Sequence, residues 1–556
     1  MYVQVVVLTY QSPDIDSYTY EIPKNLNVKI GQLVSIPFGK RNPQGIIVGF
    51  QNQIDPKIKT KPIASIILDQ PILLAYQIDL LKWMSSYYLA PMANCLDAML
   101  PKLPNAKTLM TNAKKFQGVS RSSLVVSQTL VLVPNIDRIP ETLANFPQAK
   151  NYVLYHNQLK ASEKFAAWQK IMSGQCDFIF GSRSAIFAPN PNLKKICIYD
   201  EHDSAYKDER SPYFDTLTIA EKISELTKAK IEIIDSSPRI TTFTNHGKDI
   251  TFSVIASVAK QSQKQIAAGS SSPRNDKADL PQTKTIDMTN EKVYGNYSPI
   301  SQTLEEILKR AAAKKLSTLL FLNKKSESGS IYCKSCKAQT VVQKQIAACP
   351  NCGSPDVYFN LVNINSLSAQ VKKILPGAAI DIETAAAFYK LLPKKYDVAV
   401  HIKTDSVLNF PDFASSEKLY AQITNLKKLA KKLVILQTYN PDHPAIKWAI
   451  DGNYLQFYKE ELSQRKTFSY PPFSLLVKIV VAGTEEKAQE IFDNLDPELS
   501  ALGPIKDEGN SKYNIILKIK LSDYSLSTRT KTLDKVRVIL PHQKDVRIIV
   551  EPDSII

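Results

Sequence analysis

A multidomain α/β protein is the fold expected of this 556-residue chain. Three observations point to it. Short β-like runs fill the first hundred residues. From Thr129 onward, apolar runs of strand length alternate with helical stretches, twice over. Two Cys-x2-Cys pairs then interrupt the second alternation. Runs of strands followed by βα alternation mean separate domains, and the alternation itself implies parallel sheets.

The elements follow in order. Residues 1–105 carry strands at Val3–Leu8, Tyr18–Ile22, Leu33–Pro37 and Gly45–Phe50, punctuated by Pro, Asn and Gly. A helical stripe of Tyr76, Leu80, Trp83, Met84 and Tyr87 leads out of this β-rich domain, within a helical segment from about Ala75 to Leu100. Residues 106–128 are rich in Lys, Ser and Asn and read as a linker. An α/β lobe over 129–250 is expected from strands at Leu130–Val133, Tyr152–Leu154, Asp177–Phe180, Lys195–Tyr199 and Ile231–Ile234. Residues 251–298 include a low-complexity stretch and read as a flexible insertion. A second lobe spans 299–330 and 358–458, and residues 459–556 alternate strand and helix as an α+β domain.

Residues 331–357 hold Cys333-x2-Cys336 and Cys349-x2-Cys352. Each pair can turn both thiolates toward one tetrahedral ion, and a short loop between pairs closes a zinc ribbon. Four thiolates leave no open position, so one structural Zn2+ is expected. Metal binding would fold a segment too small to fold alone. Cys95, Cys176 and Cys197 sit in apolar surroundings and read as core.

Composition bounds the function. Formal net charge is +17, from 70 Lys+Arg against 53 Asp+Glu, which favours a polyanion partner. No apolar run reaches the ~18 residues of a membrane span. The start lacks a basic leader and a small-residue cleavage site, so a cytoplasmic location with no membrane partner is expected. Gly is scarce: 17 residues, where ordinary usage gives roughly 39. Phosphate-binding loops need Gly where backbone approaches phosphate. Nowhere does the chain contain GxxxxGK[ST].

Several strings converge on one family. They are Leu130-Val131-Leu132-Val133-Pro134, Gly181-Ser182-Arg183-Ser184-Ala185-Ile186-Phe187, Asp200-Glu201-His202-Asp203-Ser204-Ala205-Tyr206-Lys207, Phe410-Pro411-Asp412-Phe413, Gln437-Thr438-Tyr439-Asn440-Pro441 and Tyr470-Pro471-Pro472-Phe473. Colinear across nearly the whole chain, they resemble the primosomal protein N′ (PriA) family of replication restart helicases. The resemblance implies a 3′-end DNA-binding domain at 1–105, two helicase-like lobes and forked or branched DNA as partner. Other primosome or single-strand-binding proteins would be further partners.

The departures are equally specific. The family's Gly-rich phosphate loop should stand before Leu130, where residues 106–129 contain one Gly, Gly118. Its Asp-Glu-Glu-His motif reads Tyr199-Asp200-Glu201-His202, and a Tyr cannot supply the anionic oxygen of a Mg2+ site. Its Ser-Ala-Thr-Pro motif reads Asp235-Ser236-Ser237-Pro238, and the arginines expected after Gln422 are gone. Phosphoryl transfer rests on positioning and charge neutralisation. The reading is therefore a degenerate member that binds DNA without ATP hydrolysis; ATP and Mg2+ are not expected as cofactors. Two alternatives stay open: an active ATP-dependent 3′→5′ helicase, and a protein-interaction scaffold whose basic charge is incidental.

The resemblance also implies a pocket for a DNA 3′ end, falling on Tyr18, Thr19, Tyr20, Gly39 and Lys61. Tyr rings can stack on the terminal base and Lys61 can meet phosphate. Thr19 replaces the family's Asp, leaving a weaker, uncharged acceptor for the 3′-hydroxyl. Basic runs at Lys57–Lys61, Lys114-Lys115, Lys309–Lys315, Lys427–Lys432 and Lys512–Lys518 are further candidate phosphate contacts.

Overall fold

The structure is a computed structural model. It describes all residues except 9–15, 55–58, 104–126, 253–280, 297, 324–328, 343–345, 361–362, 385–393, 409–411, 508–510, 538–544 and 556. The expected site of the phosphate loop, Lys57, Lys114-Lys115, the Gly269–Pro273 stretch and Phe410-Pro411 lie outside the described residues. The chain divides into two compact units: Met1–Thr251 with Arg465–Ile556, and Phe252–Gln464.

The first unit opens with a five-stranded sheet. Its strands are β1 (Tyr2–Val7), β2 (Tyr18–Glu21), β3 (Leu33–Ser35), β4 (Gln44–Gln51) and β5 (Ser65–Ile66), in the order β2-β1-β4-β3-β5. Alternating residues supply the core: Val3, Val5 and Val7 from β1 meet Tyr20, Val34, Ile36 and Ile47. The helical exit consists of two helices, Ala75–Tyr87 and Met92–Met99. Leu89 takes a positive φ of 51° and Pro91 caps the second helix, because its ring admits no continuing helical hydrogen bond.

A six-stranded sheet follows, with β6 (Gln128–Leu132), β7 (Tyr152–Tyr155), β8 (Phe178–Gly181), β9 (Leu193–Tyr199), β10 (Lys230–Asp235) and β11 (Ile250–Phe252) in the order β11-β10-β9-β6-β8-β7. The pairs from β10 through β7 are all parallel. Consequently the loops after β6, β9 and β10 emerge side by side at one edge. Gly181 ends β8 because a Cβ there would lie 2.0 Å from the Tyr155 carbonyl oxygen.

In the second unit, β12 (Gln282–Asp287) and β13 (Thr318–Leu322) precede a three-stranded ribbon. The ribbon comprises β14 (Gly329–Cys333), β15 (Gln339–Val342) and β16 (Val357–Asn360), in the order β15-β14-β16. The main sheet then takes β17 (Ile380–Thr384), β18 (Tyr396–His401) and β19 (Ala430–Thr438), giving the order β12-β19-β18-β13-β17. Here the structure corrects the expected 251–298 insertion. Residues 282–287 form a strand paired in parallel with β19 over Leu433–Thr438. As a largely exposed edge strand, Gln-Thr-Lys-Thr-Ile-Asp lacks the apolar run that would announce it.

The C-terminal part, in the first unit, pairs β20 (Ser474–Ala482), β21 (Ala501–Lys506), β22 (Lys512–Lys520) and β23 (Val546–Val550) antiparallel as β21-β22-β20-β23. The first unit resumes at Arg465, within the helix Tyr454–Thr467. Among the described residues, no helix is long and apolar enough to cross a membrane.

Candidate functional sites

The cysteine cluster assembles as its spacing implies. One ligand sulfur from each of Cys333, Cys336, Cys349 and Cys352 lies within 4.8 Å of the others. Cys333 Sγ stands 3.5 Å from Cys352 Sγ, and Cys336 Sγ stands 3.7 Å from Cys349 Sγ. Thiolates bound tetrahedrally at about 2.3 Å stand roughly 3.8 Å apart, so the four can hold a metal ion. The Cys336 amide donates to Cys333 Sγ at 3.5 Å and the Asn351 amide to Cys349 Sγ at 3.4 Å. The Asn351 side chain donates to Cys336 Sγ at 3.6 Å and helps lower that thiol, while the thiol of Cys352 is raised by the sulfurs beside it.

The Tyr199–His202 segment ends β9, and its chemistry is dominated by the protein's own cations. Tyr199 packs in an apolar cluster with Val131, Cys197 and Phe146. Burial pushes its hydroxyl up to about 12, so it is neutral at physiological pH. Asp200 faces Arg138, which follows β6, at 3.0 Å. Glu201 is 1% exposed. It receives the Arg239 guanidinium, and its Oε1 accepts from Thr242 Oγ1 at 2.9 Å. Arg239, which follows β10, also donates to Asp215 at 2.8 Å. Burial would raise the Asp215 carboxyl, but Arg239 and Lys207 overcome it and hold it at about 2. His202 Nδ1 lies 2.8 Å from Asp235 Oδ1, and its amide donates to Asp235 Oδ2 at 3.0 Å. A hard divalent cation needs several anionic or carbonyl oxygens. Here one position is a neutral phenol and the flanking carboxylates already face guanidinium groups, so this donor set does not suit Mg2+.

Sequence reasoning missed Arg138, Asp215 and Arg239. They lie 62 residues before Asp200, 14 after Glu201 and 38 after Glu201, and no motif spacing marks them.

In the N-terminal sheet, β2 carries Tyr18, Thr19 and Tyr20. Tyr20 is 5% exposed, lies in the core and donates its hydroxyl to the Pro37 carbonyl at 3.3 Å. Its ring is therefore turned inward, and Tyr18 is the partly exposed ring, set edge-on to Phe38 at 5.0 Å. Thr19 points to the opposite face. Gly39 follows Phe38 at φ +61°, with open space where a Cβ would stand. Lys61 is exposed and its carbonyl accepts from the Glu21 amide at 3.0 Å. Thus Lys61 is brought to the end of β2, and Tyr18 to the turn containing Gly39.

Several basic residues expected to meet phosphate have other partners. Lys427 is 3% exposed and donates to the Ala449 and Ile450 carbonyls at 2.8 and 2.9 Å, closing a helix end. Lys309 pairs with Glu305 and Lys432 with Asp397. Gln422, expected to precede transition-state arginines, donates to Asn323 at 2.6 Å beside the buried His401.

Comparisons with known proteins bear on the same regions. A family model described as the PriA 3′ DNA-binding domain (3'BD) matches residues 6–101. The replication restart protein PriA of Borreliella burgdorferi is 26% identical over 486 residues, covering 74% of this chain and 70% of that protein. PriA of Bacillus subtilis is 26% identical over 492 residues, 75% of this chain and 58% of that protein. PriA of Rickettsia conorii is 23% identical over 614 residues, 90% of this chain and 92% of that protein. This chain thus spans little more than half of the Bacillus relative. Among solved structures, the Mycobacterium smegmatis helicase Lhr bound to ssDNA and AMP-PNP aligns with 69% of this chain and 50% of that one. Identity is 11% and the TM-score 0.30, too low to compare the two in detail.

Proposed function

This chain belongs to the PriA family of replication restart proteins, and from that premise we propose that it binds forked or branched DNA in replication restart without hydrolysing ATP. The N-terminal sheet engages DNA, the four cysteines hold one structural Zn2+, and the parallel-sheet regions serve as scaffold. Other primosome or single-strand-binding proteins would be recruited to the complex.

One observation supports the non-hydrolysing part: Arg138 faces Asp200, the carboxylate that stands where the family has its water-activating Glu, at 3.0 Å. Activating a water requires a free carboxylate within hydrogen-bond reach of it. A guanidinium bound to that carboxylate removes the base and repels an incoming cation. Tyr199, and Arg239 on Glu201, act in the same sense at the neighbouring positions. Each element lost from a phosphoryl-transfer site is severe; a single transition-state arginine alone is worth about 10³-fold or more.

The test is a paired assay on the full chain with forked DNA. DNA binding should weaken steeply with salt, as counterion release requires, while ATP turnover stays at the level of an Arg138→Ala, Asp200→Asn double variant. Wild-type turnover stimulated by forked DNA and well above that variant overturns the non-hydrolysing reading. Weak, salt-insensitive binding to forks overturns the DNA reading and favours a protein scaffold.

A further inference from the structure

The seven cysteines fall into two groups. Cys95, Cys176 and Cys197 are buried. Burial pushes the Cys176 thiol up to about 11 and the Cys197 thiol up to about 12, and raises the Cys95 thiol as well. These three are protonated at physiological pH and closed to solvent, which makes them poor nucleophiles. The other four form the ribbon cluster. A thiolate that holds a metal ion is kept deprotonated. Exposure within the cluster is uneven: Cys333 and Cys349 are buried, Cys336 is half-buried and Cys352 is exposed. Oxidation follows thiolate character and access together, and Cys352 has both.

Two close sulfur contacts cross between the Cys-x2-Cys pairs. Cys333 Sγ stands 3.5 Å from Cys352 Sγ, and Cys336 Sγ stands 3.7 Å from Cys349 Sγ. Closing either to the 2.05 Å of a disulfide takes a movement of roughly 1.5 Å. Crossed bonds would tie residues 333–336 to residues 349–352, as a shared metal ion does. Bonds within each Cys-x2-Cys pair would leave the two turns unjoined.

We propose that peroxide oxidises this cluster at Cys352, and that two crossed disulfides, Cys333–Cys352 and Cys336–Cys349, then take over from the metal ion as the staple of the ribbon. This rests on the reading of the four cysteines as a zinc site. The Cys352 thiolate attacks one peroxide oxygen; the O–O bond breaks, Cys352 becomes a sulfenic acid and hydroxide leaves. The Cys333 thiolate then attacks the Cys352 sulfur; the S–S bond forms, the S–O bond breaks and a second hydroxide leaves. The two sulfurs give up two electrons, and one peroxide is reduced to two hydroxide ions. A second peroxide does the same at Cys336 and Cys349. Loss of the first two thiolates already leaves too few ligands for a tetrahedral Zn2+ site.

The experiment treats the zinc-loaded full chain with hydrogen peroxide. A chromogenic chelator follows zinc release, and tandem mass spectrometry maps the disulfides. One Zn2+ should leave per chain as two disulfides form. At substoichiometric peroxide, a sulfenic-acid trap should label Cys352 first. Trypsin separates Cys333 from Cys336 at Lys334, and fragmentation before Pro350 separates Cys349 from Cys352, so the pairing is read directly. The oxidised chain should keep residues 329–360 resistant to protease, whereas the reduced chain stripped by chelator should not. Dithiothreitol with Zn2+ should restore the starting state. Disulfides within the Cys-x2-Cys pairs, zinc retained in excess peroxide, or labelling of Cys95, Cys176 or Cys197 ahead of Cys352 overturns the proposal. A wild-type chain that holds no zinc overturns the metal reading, and the proposal with it.

Discussion

Arg239 faces two buried carboxylates, Glu201 and Asp215. Replacing it with Met would strip both buried acids of their guanidinium partner and leave Asp215 only Lys207. Such breaks cost about 3 kcal/mol or more. The pH dependence follows from Asp215. Its folded carboxyl is held at about 2, below the usual 3.8. A lowered folded value contributes stability that is present above about pH 4 and lost as pH falls toward 2. Arg239→Met should remove that contribution. Its deficit in urea midpoint should therefore be largest near neutrality and shrink between pH 4 and 2. A deficit that does not vary with pH would mean that Arg239 acts by packing alone.

At the scale of elements, the cysteine ribbon is the part most dependent on a ligand. It is a sheet of three short strands, whereas the main sheet of the same unit has its own core of Leu304, Leu308, Leu320, Val400 and Ile435. Metal removal, or Cys333→Ser, should open residues 329–360 to protease while the rest of that unit stays resistant. Elemental analysis should find one zinc per wild-type chain and none in the variant. This element was legible in the sequence because four ligands at 333, 336, 349 and 352 are local. Strands with apolar runs, such as Thr318–Leu322, were legible for the same reason. The edge strands Gln282–Asp287 and Ala501–Lys506 were not. Half-exposed edges need no apolar periodicity, and their pairing partners lie far along the chain.

Within the first unit as a whole, Arg529 joins three stretches of chain. Its guanidinium reaches Tyr87 at 3.3 Å and Thr218 at 3.4 Å, and it pairs with both Glu221 and Glu551. The N-terminal helix, the parallel-sheet region and the C-terminal domain thus meet at one buried cation. Arg529→Met should destabilise the unit by about 3 kcal/mol through two buried carboxylates that lose their guanidinium partner. Arg310→Met removes an exposed pair with Glu306 and should change stability by less than about 1 kcal/mol. Equal urea midpoints for the two variants would show that the buried network contributes nothing beyond a surface pair.

What could be read from residue order alone was whatever local chemistry encodes: the cysteine ribbon, the apolar strands, the basic surplus and the absent GxxxxGK[ST]. The scarcity of Gly belongs with these, since a phosphate loop is a contiguous motif. The fate of the remaining acids was set by spatial neighbours. Strand order places the loops after β6, β9 and β10 together, so Arg138 reaches Asp200 and Arg239 reaches Glu201 across long stretches of chain. The same holds at β2, where the bridge from Glu21 to Pro62 brings a carboxylate, a hydroxyl and an ammonium group to one strand edge. Ion pairs between distant residues depend on which strands pair, and pairing is a property of the whole sheet.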